Sequence, residues 1–226
     1  MKNVMFLFVL FASLILILNF TSAVTIETKD NYSLGESFIA RISGNFYTPL
    51  AKSNIHFYRN NVSTSFEPFY LDKIDEDYYV SFGIPPEKVP GSYTVRLEDV
   101  KYFSGNNLID DPVSKNFIIT NKTAFVLVNP PLKIPENYSY NLSLKNIFPE
   151  RINLSYNAEG QTEKFIIINS GQVKNITLNN YGGNEFQNVF FNYAGETYSS
   201  VVYVNLPEIP GGPVSNETNE DDEEVV

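Results

Sequence analysis

The amino-acid sequence predicts an all-β protein with two consecutive antiparallel β-sandwiches, an export signal before them and a disordered acidic tail after them. Short runs rich in β-branched and aromatic residues alternate with clusters of Pro, Gly, Asn and Asp along most of the 226 residues. After residue 23, no run shows the 3.6-residue apolar period of a surface helix. About seven β-rich runs fall in each half, which favours two sandwiches over parallel sheets with helices.

The first element is the segment MKNVMFLFVLFASLILILNFTSA, residues 1–23, which has the layout of a secretory signal. Lys2 supplies a positive start, and an apolar run covers residues 4–18. Thr21 and Ala23 are small residues placed for cleavage after Ala23. An uncleaved N-terminal anchor is the alternative, although a spanning helix usually needs about 20 apolar residues. Both interpretations place the chain from Val24 onward outside the cell membrane.

The predicted strands follow in two groups. In the first half they are VTIET, SFIARISG, NIHFYR, FEPFYL, DYYVSFGI, GSYTVRLEDV and KNFIIT. In the second half they are TAFVLV, YSYNLSLKN, RINLSYN, EKFIIIN, KNITLN, FQNVFFNY and YSSVVYVNL. The first group ends near residues 120–122, so we expect one sandwich over residues 24–120 and another over residues 121–206. Residues 207–226 are Pro/Gly-rich and then acidic, which predicts a disordered tail, or else a point within a longer product that continues into an anchor.

Asn-x-Ser/Thr triplets occupy polar positions of the predicted strands. Successive side chains of a strand face opposite sides. In YSYNLSLKN, Tyr138, Tyr140, Leu142 and Leu144 would therefore share one face, with Asn141 on the other.

The same alternation sets Leu154 and Tyr156 against Asn153 and Ser155, and Ile176 against Asn175. The acceptor asparagines are thus expected in solvent, as an N-linked glycan requires. The eight candidate acceptors after the signal are Asn31, Asn61, Asn121, Asn137, Asn141, Asn153, Asn175 and Asn216. The alternative is that these residues simply form the polar faces of strands in an Asn-rich chain, whose composition alone gives about three triplets.

Composition excludes several classes of function. The formal net charge is −10, and six of the 26 acidic residues lie in the last ten positions. No basic cluster is present, which argues against nucleic acid or an anionic membrane surface as a partner. The chain has no cysteine and a single histidine, so disulfides, thiol catalysis, thiolate zinc sites and multi-histidine metal sites are excluded. We expect no cofactor.

Four blocks of sequence resemble known families. In the first half, NYSLGESFIARISGN and VPGSYTVRLEDV resemble the immunoglobulin-like domains of prokaryotic surface proteins of the macroglobulin or invasin sort. In the second half, YNLSLKNIFPERINLSYN and YSSVVYVNLP resemble the cell-adhesion-related, CARDB-like, immunoglobulin-like domains. The dense acceptor triplets also resemble those of archaeal secreted proteins. These resemblances imply immunoglobulin-like sandwiches with an extracellular structural or adhesive role and no catalytic residues to transfer.

The acidic segment LDKIDEDYYV is a weak candidate for calcium binding. Asp72, Asp75 and Asp77 offer carboxylate oxygens, of which Ca²⁺ takes six to eight with other oxygen ligands. The alternative is a hairpin turn whose acids solvate the connection. Paired carboxylates could also serve a secreted glycosidase, which is a further alternative. His56 alternates with Ile55 and is expected on a sheet surface rather than as a general base.

Adjacent aromatic residues are the remaining candidate site. Since two neighbours on a strand cannot both face the core, one ring of each pair is expected to point outward, where it could stack on sugars or anchor a protein. The candidates are Tyr58, Phe69, Tyr70, Tyr78, Tyr79 and Tyr102. The alternative is that the outward rings pack beneath a loop or against the second domain.

Together these observations predict a non-enzymatic extracellular or cell-surface protein with a structural or adhesive role. Its partner would be an envelope protein, an extracellular protein or a glycan, and it would touch a membrane only through an uncleaved N-terminal segment. The alternative is a carbohydrate- or protein-binding module that uses the aromatic residues of the first sandwich.

Overall fold

The computed structural model describes residues 24–180 and 183–207, without the side chain of Asn184. These residues form β-strands, their connections and one short 3₁₀ helix, Lys52–Asn54. The predicted signal, the acceptor Asn216 and all but the first residue of the predicted tail lie outside the described residues. Within the described ranges, no helix has the length and apolar character needed to cross a membrane.

The described chain divides into two compact units. The first holds residues up to Leu34 together with Phe38–Lys122, and the second holds Gly35–Ser37 and the residues from Thr123 onward.

The first unit contains twelve strands. They are β1 (Thr25–Thr28), β2 (Asn31–Leu34), β3 (Ser37–Ser43), β4 (Asn45–Phe46), β5 (Ile55–Arg59), β6 (Val62–Thr64), β7 (Tyr70–Ile74), β8 (Asp77–Gly83), β9 (Gly91–Leu97), β10 (Tyr102–Ser104), β11 (Asn107–Ile109) and β12 (Val113–Thr123). One sheet has the order β1-β3-β8-β7, the other has the order β2-β12-β9-β5-β6, and a small sheet β11-β10-β4 is carried on connections. This is the strand arrangement of an immunoglobulin-like sandwich, with its A-B-E-D and C-F-G sheets.

An aromatic core holds the first unit together. Phe82 stacks on Phe38 and on Phe66, with ring centroids 4.6 and 4.5 Å apart. Phe57 packs against Phe82 in a T-shaped arrangement, with ring centroids 5.2 Å apart. Without a cysteine or a tryptophan in the chain, these rings fill the space between the sheets that a disulfide and a tryptophan occupy in antibody domains.

A tyrosine corner locks one end of this sandwich. The Tyr93 hydroxyl, on β9, donates a hydrogen bond of 2.6 Å to the Val89 carbonyl oxygen four residues upstream. This bond is a hallmark of immunoglobulin-like folds, and it occurs where the sequence VPGSYTVRL enters the sandwich.

The second unit contains eight strands. They are β13 (Val126–Asn129), β14 (Leu132–Lys133), β15 (Ser139–Asn146), β16 (Ile152–Ala158), β17 (Lys164–Ile168), β18 (Val173–Asn179), β19 (Gly183–Tyr193) and β20 (Glu196–Leu206). The sheets have the orders β13-β15-β18 and β14-β20-β19-β16-β17. This unit repeats the immunoglobulin-like plan of the first, with the short parallel pairing of β14 and β20 closing the larger sheet.

The predicted alternation in the second unit is confirmed at its central residues. Leu142, Leu154 and Ile176 are 0–2% exposed and belong to one core cluster. Asn141 and Asn153, their neighbours in the sequence, are exposed. The all-β class of the protein therefore follows from a pattern that the sequence shows directly.

Two residues depart from that alternation. Tyr138 was expected inside but is 37% exposed, because it precedes the first residue of β15; its hydroxyl donates to the Pro207 carbonyl oxygen instead. Ser155 was expected outside but is buried, because it lies on the inner strand β16, opposite Phe165 on one side and Asn192 on the other.

One predicted strand begins later than the sequence suggests. The run FEPFYL was expected to be extended throughout, but β7 starts at Tyr70. Pro68 has no N–H to give to a sheet, which favours a connection at this point. Phe66 nonetheless lies in the core at 1% exposure, which explains why the run looks like a buried strand.

Candidate functional site

The outward face of the β5-β9-β12 sheet in the first unit carries two rows of polar side chains. Register pairs His56 with Arg96 and Arg96 with Ser114 across the three strands. The next row pairs Tyr58 with Thr94 and Thr94 with Asn116. Alternation places these residues on the face opposite the aromatic core.

A carboxylate joins the first row to the second. The Tyr58 hydroxyl donates to Glu98 Oε1 at 2.8 Å, and Arg96 Nε lies 3.4 Å from the same oxygen. His56 Nε2 lies 3.9 Å from Glu98 Oε2, and the Arg96 guanidinium lies 5.8 Å from the centre of the Tyr58 ring. The hydrogen bond to Glu98, with some desolvation, raises the pKa of the Tyr58 hydroxyl above its ordinary value.

The second row contains a hydrogen bond of its own. Thr94 Oγ1 donates to Asn116 Oδ1 at 2.8 Å, which leaves the Asn116 amide N–H₂ able to donate elsewhere. Arg96 and Asn116 together can therefore offer several donors to an oxygen-rich ligand.

These rows line an open groove of about 300 Å³, which we call the front groove. Its lining residues are Tyr58, Asn61, Thr94, Arg96, Pro112, Ser114 and Asn116. Asn61 reaches it from the two-residue turn between β5 and β6, where Asn60 and Asn61 have φ of 50° and 63°. Asparagine tolerates this left-handed backbone better than other side chains, which favours a tight hairpin here.

A second, wider groove of about 440 Å³ lies elsewhere in the first unit, and two acids line it. Glu67 and Glu87 are both exposed there, and Lys88 Nζ donates to the Ser65 carbonyl oxygen at 2.6 Å. A carboxyl that acts as a general acid is usually one taken out of water. Neither Glu67 nor Glu87 has such an environment in this groove.

Most of the predicted aromatic platform is not on the surface. Phe69, Tyr78, Tyr79 and Tyr102 are only 8–9% exposed. Phe69, Tyr78 and Tyr102 belong to the core, whereas Tyr79 lies on the other side of β8, opposite Asp72, and is covered there.

Only two of the six candidate aromatic side chains reach solvent. Tyr58 is half-buried in the front groove, and Tyr70 is 36% exposed, with Lys52 Nζ 5.8 Å from its ring centre. Tyr78 and Tyr79 do face opposite sides of β8, as neighbours on a strand must, but the outward ring, Tyr79, is covered and offers no exposed platform.

The acids proposed for calcium lie around a hairpin. β7 pairs with β8 through Ile74 and Asp77, and Asp75 occupies the turn with φ of 52°. Asp77 Oδ2 accepts from Arg41 at 2.7 Å, while burial raises the pKa of the Asp72 carboxyl, partly offset by Lys52.

β7 and β8 thus form a hairpin around these acids, as the turn interpretation describes. Among the residues that the structure describes, no three acidic or histidine side chains converge as a metal site would require.

All seven described acceptor asparagines are exposed. They are Asn31, Asn61, Asn121, Asn137, Asn141, Asn153 and Asn175. Asn141 and Asn175 lie on neighbouring strands of one sheet, with Asn141 opposite Thr177 and Asn175 opposite Ser143. Asn153 lies on the other sheet of the same unit, opposite Ile167.

Comparison with solved structures finds tandem immunoglobulin-like domains. The titin I9–I11 tandem is 11% identical with a TM-score of 0.26, over 80% of this chain and 66% of the titin structure. Titin z1z2 in complex with telethonin is 14% identical with a TM-score of 0.28, over 82% of this chain and 98% of the titin chain. The Bacteroides ovatus protein SGBP-B of a mixed-linkage glucan utilization locus, in complex with a heptasaccharide, is 15% identical with a TM-score of 0.26, over 81% of this chain and 44% of that chain.

The chain thus spans about two thirds of the titin I9–I11 structure and less than half of the Bacteroides ovatus protein. No protein-family model matches the sequence. No curated protein matches it either.

Proposed function

We propose that this chain is an exported, non-enzymatic glycoprotein with a structural or adhesive role at the cell surface. The observation that carries the proposal is that all seven described acceptor asparagines project into solvent from two cysteine-free sandwiches. An N-glycan needs a surface site, and each of these positions meets that need. The signal-like residues 1–23 supply the route to the compartment where such glycans are added.

The finer assignment rests on the sequence. The resemblance of the two halves to macroglobulin- or invasin-like and CARDB-like domains, and of the whole to archaeal secreted proteins, is part of this proposal. It favours a role as a spacer or as a surface that meets an envelope protein, an extracellular protein or a glycan.

Mass analysis of the protein from its native host tests export and glycosylation together. We expect an N-terminus at Val24, because Thr21 and Ala23 fit a cleavage site, and added hexose-scale mass on several acceptor asparagines. Peptide mapping assigns each modified position. An unmodified product that begins at Met1 would contradict the proposal. The same protein made in a host that lacks the enzyme for N-glycan transfer provides the unglycosylated mass for comparison.

The front groove supports a second candidate function, recognition of a carbohydrate or an extracellular protein. It is open and mainly polar, and it combines a partly exposed ring, Tyr58, with donors from Arg96 and Asn116. Oxygen-rich ligands such as sugars bind to this combination of an apolar ring face and convergent donors.

Substitution of Arg96 tests recognition by the front groove. A ligand found by screening an immobilised glycan array with the purified protein should bind Arg96→Ala about tenfold more weakly, because a hydrogen bond to a charged donor is lost. Arg151→Ala, an exposed arginine of the second unit, is the matched control and should bind unchanged. Equal affinity for all three proteins, measured by titration calorimetry, would place the ligand elsewhere.

A further inference from the structure

Strand β17 presents an apolar pair to solvent in the second unit. Phe165 is 67% exposed and Ile167 is 48% exposed, whereas Ile168 on the same strand is fully buried in the core. Among the strands that the structure describes, β17 is the last of its sheet and pairs with β16 alone. An exposed apolar edge strand invites pairing with another chain, so proteins usually cover or charge such an edge.

A glycosylation triplet lies directly beside this pair. Register places Ile167 opposite Asn153 and Phe165 opposite Ser155, the first and third residues of the triplet Asn153-Leu154-Ser155. Directly opposed residues have Cβ atoms about 4.5–5.5 Å apart, and diagonal neighbours lie about 7–8 Å apart. The amide of Asn153 is therefore next to Ile167 and within reach of the Phe165 ring.

Alternation puts all these side chains on one face of the sheet. Leu154 and Ile168 point into the core at 0% exposure, so Asn153, Phe165 and Ile167 share the opposite face. The first sugars attached to Asn153 would leave the sheet beside an exposed aromatic ring, which offers an apolar face for the C–H groups of a sugar.

We propose that the N-glycan on Asn153 packs against Phe165 and Ile167 and covers the β17 edge. This inference rests on the proposed glycosylation and deepens it, because it assigns one glycan an intramolecular binding surface. The other strand acceptors of this unit have polar surroundings instead: Asn175 lies opposite Ser143, and Asn141 accepts a hydrogen bond of 2.7 Å from Thr177.

The covered edge also has a consequence for assembly. A glycan that leaves the sheet beside β17 would obstruct the approach of a second strand to the free backbone groups of that edge. The same protein without this glycan would expose both the apolar pair and the unpaired edge, and its tendency to self-associate should rise.

Hydroxyl-radical footprinting with peptide mass mapping tests the contact. In glycosylated protein from the native host, we expect Phe165 to be oxidised about threefold more slowly than in Asn153→Gln, because the glycan excludes solvent from the ring. Tyr47, 60% exposed in the first unit, is the internal reference and should not change. Asn175→Gln is the matched control and should leave the Phe165 rate as in the unaltered glycoprotein.

Thermal melting gives a second measurement. Loss of the glycan by Asn153→Gln should lower the Tm of the second unit by about 4 °C, and the loss should be less than half as large in a Phe165→Thr background. The inference would be overturned if Asn153→Gln lowered the Tm equally in the unaltered protein and in the Phe165→Thr background. Equal oxidation of Phe165 with and without the glycan would overturn it too.

Peptide mapping separates failure of this inference from failure of the proposed function. If Asn153 is bare while other acceptors carry sugar, the inference fails and the glycoprotein assignment stands. If no acceptor carries sugar, both fail.

Discussion

Tyr140 carries a buried hydroxyl for which the described residues provide no hydrogen-bond partner. Its side chain is 4% exposed, and burial raises the pKa of the hydroxyl to about 12. An unpaired buried hydroxyl costs free energy that an apolar group of the same shape does not. The alternating pattern of β15 predicts that this ring is inside, but it cannot show that the hydroxyl is unpaired there.

Substitution of Tyr140 by Phe should therefore leave stability at pH 7 unchanged or slightly increased. The substitution should also reduce the loss of folding stability at alkaline pH. The folded protein keeps this proton until about pH 12, whereas the unfolded chain loses it near pH 10. The contribution of this retained proton to the free energy of unfolding is thus fully present below pH 10. It falls by about 2 kcal/mol as the pH rises from 10 to 12.

Urea unfolding at pH 7, 10.5 and 11.5 measures this effect. The difference in the free energy of unfolding between the unaltered protein and Tyr140→Phe isolates the contribution of this one hydroxyl, because the other tyrosines ionise in both proteins. A variant that loses more than about 1 kcal/mol at pH 7 would show that the hydroxyl has a stabilising partner.

At the scale of elements, Asn146 shows why a strand end is harder to predict than a strand centre. It is the last residue of β15 and is fully buried. Its side-chain N–H₂ donates to the carbonyl oxygens of Glu150 and Ile168, and its side-chain oxygen accepts from the backbone N–H of Phe148. One amide thus ties the end of β15 to the following turn and to the end of β17.

The strands themselves were largely predictable because alternation is local. The sequences around Leu142, Leu154 and Ile176 show which face of each strand is buried, and the structure confirms it. The run EKFIIIN has three consecutive isoleucines, yet Phe165 and Ile167 are exposed, because they lie on the face of β17 that points away from the core. Pairing is not local.

The front groove was missed for that reason. His56, Arg96 and Ser114 are distant in sequence, and only the register of three strands sets them in one row. The signal that was present is weak: polar residues alternate with apolar ones in NIHFYR and GSYTVRLEDV. That pattern predicts an outward polar face, and it does not predict which residues of different strands meet.

At the scale of the whole molecule, two separate clusters of buried side chains stabilise the chain. One is aromatic and lies in the first unit, with Phe38, Phe82 and Phe117 at its centre. The other is largely aliphatic and lies in the second unit, around Leu142 and Leu154. Among the described residues the two clusters share no side chain, so a defect in one core should remain confined to its own unit.

Leu142→Asp tests that separation. The substitution places an unpaired charge at a fully buried position, which costs roughly 3 kcal/mol or more, so the second unit should unfold. The first unit should keep its cooperative transition in calorimetry and its slow amide exchange, since its core is intact. Asn141→Gln is the matched control, an exposed neighbour on the same strand that should cost no more than about 0.5 kcal/mol. Loss of both transitions in Leu142→Asp would show that the two cores fold as one cooperative unit, and a larger effect from Asn141→Gln would invert the assignment of faces on β15.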